Sequence, residues 1–117
     1  MEIRLPIPKS ILTALNQLYE IEQKLKKHGD SANLQRNVGK MKDAFNEMGF
    51  AFEDPMGQAF NETRSDLEAT ISGSGTDNLV VVEVIKPIIR AVLREGPGEF
   101  SKVVQKGIVI VETPKAH

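Results

Sequence analysis

The spacing of the apolar residues changes at Gly49. Before this glycine, apolar residues recur at every third or fourth position, which is typical of a helix that buries one face. After it they recur at every second position, which is typical of a half-buried strand. The sequence therefore predicts an α+β protein, with a helical part at residues 1–49, a small all-β part at residues 50–112 and a frayed tail at residues 113–117.

Two helices joined by a short turn are predicted in the helical part. Ser10 is expected to cap the first helix, and Gly29 is expected to end it. The second helix is expected to start at Asp30 or Ser31 and to end at Gly49. The two helices form a helical hairpin.

Each predicted helix has an apolar line that two helices alone cannot cover. The lines are Ile11, Leu15, Leu18 and Leu25 on the first helix, and Leu34, Val38, Met41, Phe45 and Met48 on the second. Either the β part folds back over them, or a second copy completes a four-helix bundle. Each fully buried large side chain contributes roughly 1.5–3 kcal/mol, which favours the second copy. We therefore expect a homodimer formed through these residues.

Short strands separated by turns are predicted in the second half. The first apolar runs are Phe50 with Phe52, residues 67–71 and residues 79–85. Pro87 cannot donate a hydrogen bond to a sheet, so the third run ends or bulges there, or lies on an edge. Residues 96–98 are expected to form a turn. Residues 103–111 are either two strands or one bent strand interrupted at Gly107.

No motif in the sequence points to catalysis. The chain has 117 residues and no Cys, which excludes disulfide bonds, thiol nucleophiles and cysteine-based zinc sites. His28 lies at a helix end and His117 is the last residue, and neither has a candidate partner beside it. Asp66 and Glu68 share one strand face, where they are either an acid/base pair or ordinary solvent-facing charges. We therefore expect that the protein is not an enzyme and that it binds neither a cofactor nor a metal.

Charge and hydropathy argue against two classes of partner. The formal net charge is −1, so the chain lacks the basic field that attracts nucleic acids. The longest apolar run is far shorter than the roughly 18–20 residues that a membrane-spanning helix needs, and the first residues do not form a signal peptide. We therefore expect a cytoplasmic protein that binds neither nucleic acid nor membrane.

Several short segments follow one another in an order known from one protein family. They include Pro55-x-Gly57-x-x-Phe60, the strand Val81-Val82-Glu83-Val84-Ile85-Lys86, and residues 11–20, 43–50 and 102–111. In this order they resemble the GrpE family, the nucleotide exchange factors of DnaK-type chaperones, over about residues 10–112. The resemblance implies a dimeric helix hairpin and a β domain that wedges against the chaperone ATPase domain and promotes ADP release.

The same resemblance indicates a candidate contact surface. Its residues are Phe60, Asn61, Glu62, Lys102 and Gln105. For Phe60, the alternative is a purely structural place in the core, since large aromatic residues usually pack inside.

The sequence also departs from the family. Asn61-Glu62 stands where the family has Asp-Pro, Pro87-Ile88 stands where it has Gly-Tyr, and Gln105-Lys106-Gly107 stands where it has Arg-Pro-Ala. These changes favour an alternative function, a dimeric adaptor without exchange activity. The long N-terminal helix of the family has no counterpart here, so either an upstream part was removed or the natural chain starts at this point.

Overall fold

The computed structural model describes residues 7–95 and 98–114, and its fold is α+β with two helices and two three-stranded sheets. The predicted fold class is confirmed at this level. The chain divides into two compact units, Met1–Met48 and Gly49–His117. The first unit contains the helices, and the second contains the strands.

The first helix, α1, spans Lys9–His28 and begins before the predicted cap. Pro8 occupies the N-cap position with φ −58°, and its carbonyl accepts a hydrogen bond from the Ile11 N–H at 3.0 Å. The predicted cap at Ser10 is therefore wrong, because the proline ring already holds a φ that a helix can follow. Gly29 ends α1 as predicted, with φ 89° and its N–H donating to the Leu25 carbonyl at 2.9 Å.

The second helix, α2, spans Gln35–Glu47, so the predicted start at Asp30 or Ser31 is too early. The Asp30 carboxylate accepts hydrogen bonds from the N–H groups of Leu34 and Gln35, at 2.5 and 2.8 Å. These N–H groups have no partner within the helix, so Asp30 caps α2 from a position several residues outside it. Gly49 follows the C-cap Met48 with φ 89°, which agrees with its predicted role as the residue that ends the helix.

The helical unit buries one face of α1. Its buried residues are Leu15, Leu18, Tyr19 and Glu22, with Val38 buried on α2. Glu22 is the charged member of this group, and its carboxylate lies 3.1 Å from Lys42 Nζ on α2. The ion pair joins the two helices and offsets part of the cost of burying the carboxylate.

Six strands are described in the second unit. They are β1 (Phe50–Glu53), β2 (Leu67–Ile71), β3 (Val80–Lys86), β4 (Ile88–Glu95), β5 (Gly98–Gln105) and β6 (Gly107–Glu112). The first three correspond to the predicted apolar runs. The turn predicted at residues 96–98 has its first two residues outside the described part, and Gly98 begins β5 opposite Glu95.

The strands form two sheets. Sheet A has the order β1-β4-β5 and is antiparallel throughout. Sheet B has the order β2-β6-β3, with β2 parallel and β3 antiparallel to the central strand β6. The long region predicted at residues 103–111 is therefore two strands, and they belong to different sheets.

The chain passes between the two sheets three times, once through residues 54–66 and twice through a single residue. Pro87 lies between β3 of sheet B and β4 of sheet A, and Lys106 lies between β5 of sheet A and β6 of sheet B. Pro87 thus ends β3, which was one of the alternatives for this residue. It is fully buried, and its missing N–H removes a donor that the crossing would otherwise have to satisfy.

The core of the β unit lies along sheet B. It consists of Leu67, Leu79, Val81, Ile88, Val109 and Val111, with Phe60, Ala69, Val84 and Val103 packed against it. Gly107 begins β6 beside this cluster, and a Cβ there would lie 2.8 Å from Leu67 Cδ2 and 3.0 Å from Ile88 Cγ1. Close packing therefore requires glycine at this position.

Candidate partner-binding surface

Phe60, Asn61 and Glu62 lie together in the segment that precedes β2. Phe60 is half-buried, its N–H donates to the Leu79 carbonyl at 2.8 Å, and its ring packs against the core, so part of its role is structural. Asn61 and Glu62 are exposed. The Asn61 side chain accepts hydrogen bonds from the backbone and the hydroxyl of Thr63, which shapes the turn after it.

These three residues line a hollow with the end of β2 and the segment before β3. The remaining lining residues are Ile71, Thr76, Asp77, Asn78 and Leu79, and the cavity volume is about 390 Å³. We call this site the acidic hollow, because Glu62 and Asp77 both border it. Asn78, one of the bordering amides, has φ 53°, a left-handed conformation that asparagine tolerates better than most residues.

Lys102 and Gln105 do not line the acidic hollow. Both lie on β5, where Lys102 pairs with Ala91 and is exposed. Gln105 is half-buried, and its Nε2 donates to the Pro87 carbonyl at 3.0 Å. The five candidate contact residues therefore lie in two separate places. The Gln105 side chain already makes a hydrogen bond within the β unit.

Large apolar side chains are exposed on both sheets. Phe100 on β5 has 65% of its surface exposed, and it lies two residues from Lys102 on the same side of the strand. On β3, the pairing with β6 is interrupted by two bulges, and the extra residues are Val82 and Ile85. Both are exposed. A bulge changes the direction in which a side chain points. The two bulges therefore give Val82 and Ile85 directions that regular pairing would not give them.

A network of charged residues joins sheet A to the start of β2. Arg64 forms a bidentate pair with Asp66, from Nε at 3.0 Å and Nη2 at 2.9 Å. Arg90 Nη2 on β4 reaches both Asp66, at 3.1 Å, and Glu53 on β1, at 3.3 Å. Arg64 Nη1 also donates to Gln58 and to the Ala59 carbonyl. This network connects segments that are far apart in sequence.

The network determines the chemistry that Asp66 can perform. The hydrogen bonds from Arg64, with the nearby positive charges of Arg64 and Arg90, lower the pKa of Asp66 below its ordinary value. The hydrogen bond to Asp66 raises the pKa of Arg64. A carboxylate held in its ionised form is poorly suited to act as a general acid, and Glu68 does not share the network. The arrangement therefore opposes an acid/base pair formed by Asp66 and Glu68.

The residues predicted for the dimer interface separate into three groups by burial. Leu15, Leu18 and Val38 are already buried within a single chain, and Ile11, Leu25 and Phe45 are half-buried. The exposed group is Leu34, Met41 and Met48, with exposed fractions of 45%, 48% and 58%. Ile21 on α1 is also exposed and was not predicted as an interface residue.

The described part of the chain contains neither a metal site nor a membrane-spanning helix. Residues 7–95 and 98–114 contain no group of three or more His, Cys, Asp or Glu side chains that could hold a metal ion. No helix in the same residues is both long and apolar enough to cross a membrane. Three candidate surfaces remain. They are the acidic hollow, the exposed apolar residues of the strands, and the exposed line on α2 formed by Leu34, Met41 and Met48.

Sequence reasoning missed the charged network and the two bulges. Arg64 and Arg90 are distant in the chain, and neither has a local pattern that predicts its partner. Val82 and Ile85 appear in the sequence as ordinary members of a β-branched run.

Comparison of the chain with protein-family models, with curated proteins and with solved structures finds no match.

Proposed function

We propose that this protein is a dimeric GrpE-like co-chaperone that promotes ADP release from a DnaK-type chaperone ATPase. The observation that carries the proposal is the set of large apolar side chains left exposed on the strands of the β unit, Ile71, Val82, Ile85 and Phe100. The same unit buries Val109 and Val111 completely. Exposed apolar groups beside a well-packed core are typical of a surface that binds another protein.

The mechanism requires no chemistry from this chain. The β unit binds the conformation of the ATPase in which the nucleotide cleft is open. Because binding free energies are linked, a factor that prefers the open conformation weakens ADP binding by the same coupling free energy. The order of segments that resemble the GrpE family supports this assignment over other binding functions.

Dimerisation is the second part of the proposal. Leu34, Met41 and Met48 are seven residues apart, and residues at this spacing lie on the same face of a helix. The backbone at Leu34 and at Met48 is right-handed helical, so both residues continue the line of α2 at its ends. A second copy that packs its own hairpin on this line would complete a four-helix bundle.

The alternative is a dimeric adaptor that binds another partner without exchange activity. The exposed Asn61 and Glu62 favour it, because they depart from the family at positions where a partner is able to reach them. Pro87 and Ile88 also depart from the family, but both are buried, so this change alters the interior of the β unit rather than its surface.

Release of a fluorescent ADP from a purified DnaK-type ATPase tests the proposal. The dimeric protein should accelerate release, and Lys102→Glu or the double change Val82→Ser with Ile85→Ser should reduce the acceleration at least fivefold. Lys24→Glu on α1 makes the same charge change as Lys102→Glu outside the β unit and should have no effect. Binding to the ATPase with an unchanged release rate would exclude the exchange function, and absence of binding would exclude this partner as well and favour an adaptor for another partner.

A further inference from the structure

The acidic hollow combines an apolar floor with an acidic rim. Leu79 is buried, Phe60 is half-buried, and Ile71 forms a partly exposed apolar wall. Glu62 and Asp77 are exposed at the border, together with Asn61, Thr76 and Asn78. The site therefore offers contact with an apolar segment and with a positive charge at the same time.

The two carboxylates of the rim have no partner within the described part of the chain. The ion pairs there involve Glu22, Glu53 and Asp66, and neither Glu62 nor Asp77 makes a hydrogen bond or ion pair with its side chain. Arg64 is close in sequence, but its guanidinium is occupied by Asp66, Gln58 and the Ala59 carbonyl. Within residues 7–95 and 98–114, the rim thus carries two negative charges that no ion pair compensates.

We propose that the acidic hollow binds an arginine side chain of a partner polypeptide. The methylene groups of arginine lie on the floor formed by Phe60 and Leu79 and against the wall formed by Ile71, while the guanidinium lies between the carboxylates of Glu62 and Asp77. Arginine has the required combination of an apolar stem and a planar head with five donors. The inference does not depend on the proposed exchange activity.

The shape of the hollow argues for a polypeptide rather than a free small molecule. Six of the eight lining residues, the exceptions being Phe60 and Leu79, are exposed, so the hollow is open on one side. Sites for small molecules usually bury most of the ligand. An open hollow suits a single side chain whose backbone remains outside and makes further contacts on the surface. Two carboxylates are also too few for a calcium site, which takes about 6–8 oxygen ligands.

A titration followed by amide chemical shifts tests the inference on the full chain. The probe is the pentapeptide acetyl-Gly-Gly-Arg-Gly-Gly-amide, and its counterparts carry citrulline or norleucine in place of arginine. Citrulline keeps the shape of arginine and removes its charge. The arginine peptide should shift the amide signals of Glu62, Asp77 and Leu79 in a saturable way, and the citrulline peptide should bind about fivefold more weakly, as expected for exposed ion pairs.

A matched pair of double variants separates the site from the general charge of the β unit. Glu62→Gln with Asp77→Asn should weaken binding of the arginine peptide about fivefold. Glu68→Gln with Glu83→Gln removes the same number of negative charges from exposed strand positions and should leave binding unchanged. The variants alter exposed side chains, and unchanged signals elsewhere in the spectrum verify that each one is folded.

Four results would overturn the inference. They are absence of saturable shifts with the arginine peptide, equal binding of the citrulline peptide, equal weakening by the two double variants, and saturation of the same amides by CaCl₂ without any response to arginine. The first two would remove the charge recognition, the third would reduce it to a general electrostatic effect, and the fourth would reassign the hollow to a cation.

Discussion

Gln105 donates a hydrogen bond from Nε2 to the Pro87 carbonyl at 3.0 Å, and this bond joins the two single-residue crossings between sheet A and sheet B. Gln105 is the last residue of β5, directly before the crossing at Lys106, and Pro87 is itself the other crossing. A departure from the resembled family at Gln105 therefore lies within the framework of the β unit rather than only on its surface.

Gln105→Leu should lower the free energy of unfolding by about 1–2 kcal/mol, because the partly buried carbonyl of Pro87 loses its partner. Urea unfolding measures this change. Lys102→Ala alters an exposed residue on the same strand and should shift the free energy by less than about 0.5 kcal/mol. Equal effects of the two substitutions would show that the bond at the crossing contributes nothing.

Gly107→Ala should destabilise the protein by about 1–3 kcal/mol, since a methyl group at this position meets Leu67 and Ile88 at short distance. Gly39→Ala is the matched control, because a Cβ at Gly39 meets no atom within 4 Å in the single chain. That change should stabilise α2 by roughly 0.5–1 kcal/mol. Thermal unfolding of both variants tests the contrast. A destabilising Gly39→Ala would instead indicate a close helix crossing within the dimer.

Asp66→Asn should lower the free energy of unfolding at pH 7 by about 1–3 kcal/mol, because it removes a carboxylate that accepts hydrogen bonds from two arginines. Glu68→Gln is the control, because Glu68 lies two residues away in β2 and its side chain is exposed.

The same substitution should change the dependence of stability on pH. The pKa of Asp66 is lowered in the folded state, so its contribution is complete above the unfolded pKa of about 3.9. The contribution disappears as the pH falls through the lower pKa of the folded state. The difference between the natural chain and Asp66→Asn should therefore shrink below about pH 4. A difference that stays constant from pH 7 to pH 2 would contradict the assignment of the ionised form to Asp66.

Met41→Asp should convert the proposed dimer into a folded monomer, because it places an unpaired charge in the centre of the exposed line on α2. Sedimentation velocity measures the change in mass, and circular dichroism checks the fold. Met56→Asp makes the same change at an exposed methionine of the β unit and should leave the dimer intact. Sedimentation of the natural chain as a monomer of 12.9 kDa would refute dimerisation.

The melting midpoint of the natural chain should rise with protein concentration, since dissociation and unfolding of a dimer are linked by mass action. A hundredfold dilution series followed by circular dichroism measures the effect. Met41→Asp should remove the dependence on concentration. A midpoint that is constant for the natural chain over this range would mean that the second copy does not stabilise the fold.

Local patterns in the sequence predicted much of the secondary structure. The change of period at Gly49 and the β-branched run before Pro87 both correspond to features of the structure. The predicted start of α1 is wrong because Pro8, two residues before Ser10, already occupies the N-cap. The start of α2 was wrong because Asp30 caps the helix across a turn of several residues.

The pairing of strands was not predictable in the same way. Nothing in the residues around Leu67 indicates that β2 pairs in parallel with β6, because pairing partners are selected by the whole chain. The same limit applies to the contact of Arg90 with Asp66, which are 24 residues apart. Three residues of the acidic hollow, Phe60, Asn61 and Glu62, are among the predicted contact residues, and its other wall comes from residues 71–79.

The order of strands in sheet B has a consequence for synthesis of the protein. The central strand β6 is the last of the six to leave the ribosome, and β2 and β3 pair with it rather than with each other. Both strands must therefore wait with unpaired edges until β6 has been made, a stage at which a nascent chain is prone to aggregate. Sheet B of the β unit is therefore completed only when its final strand has been made.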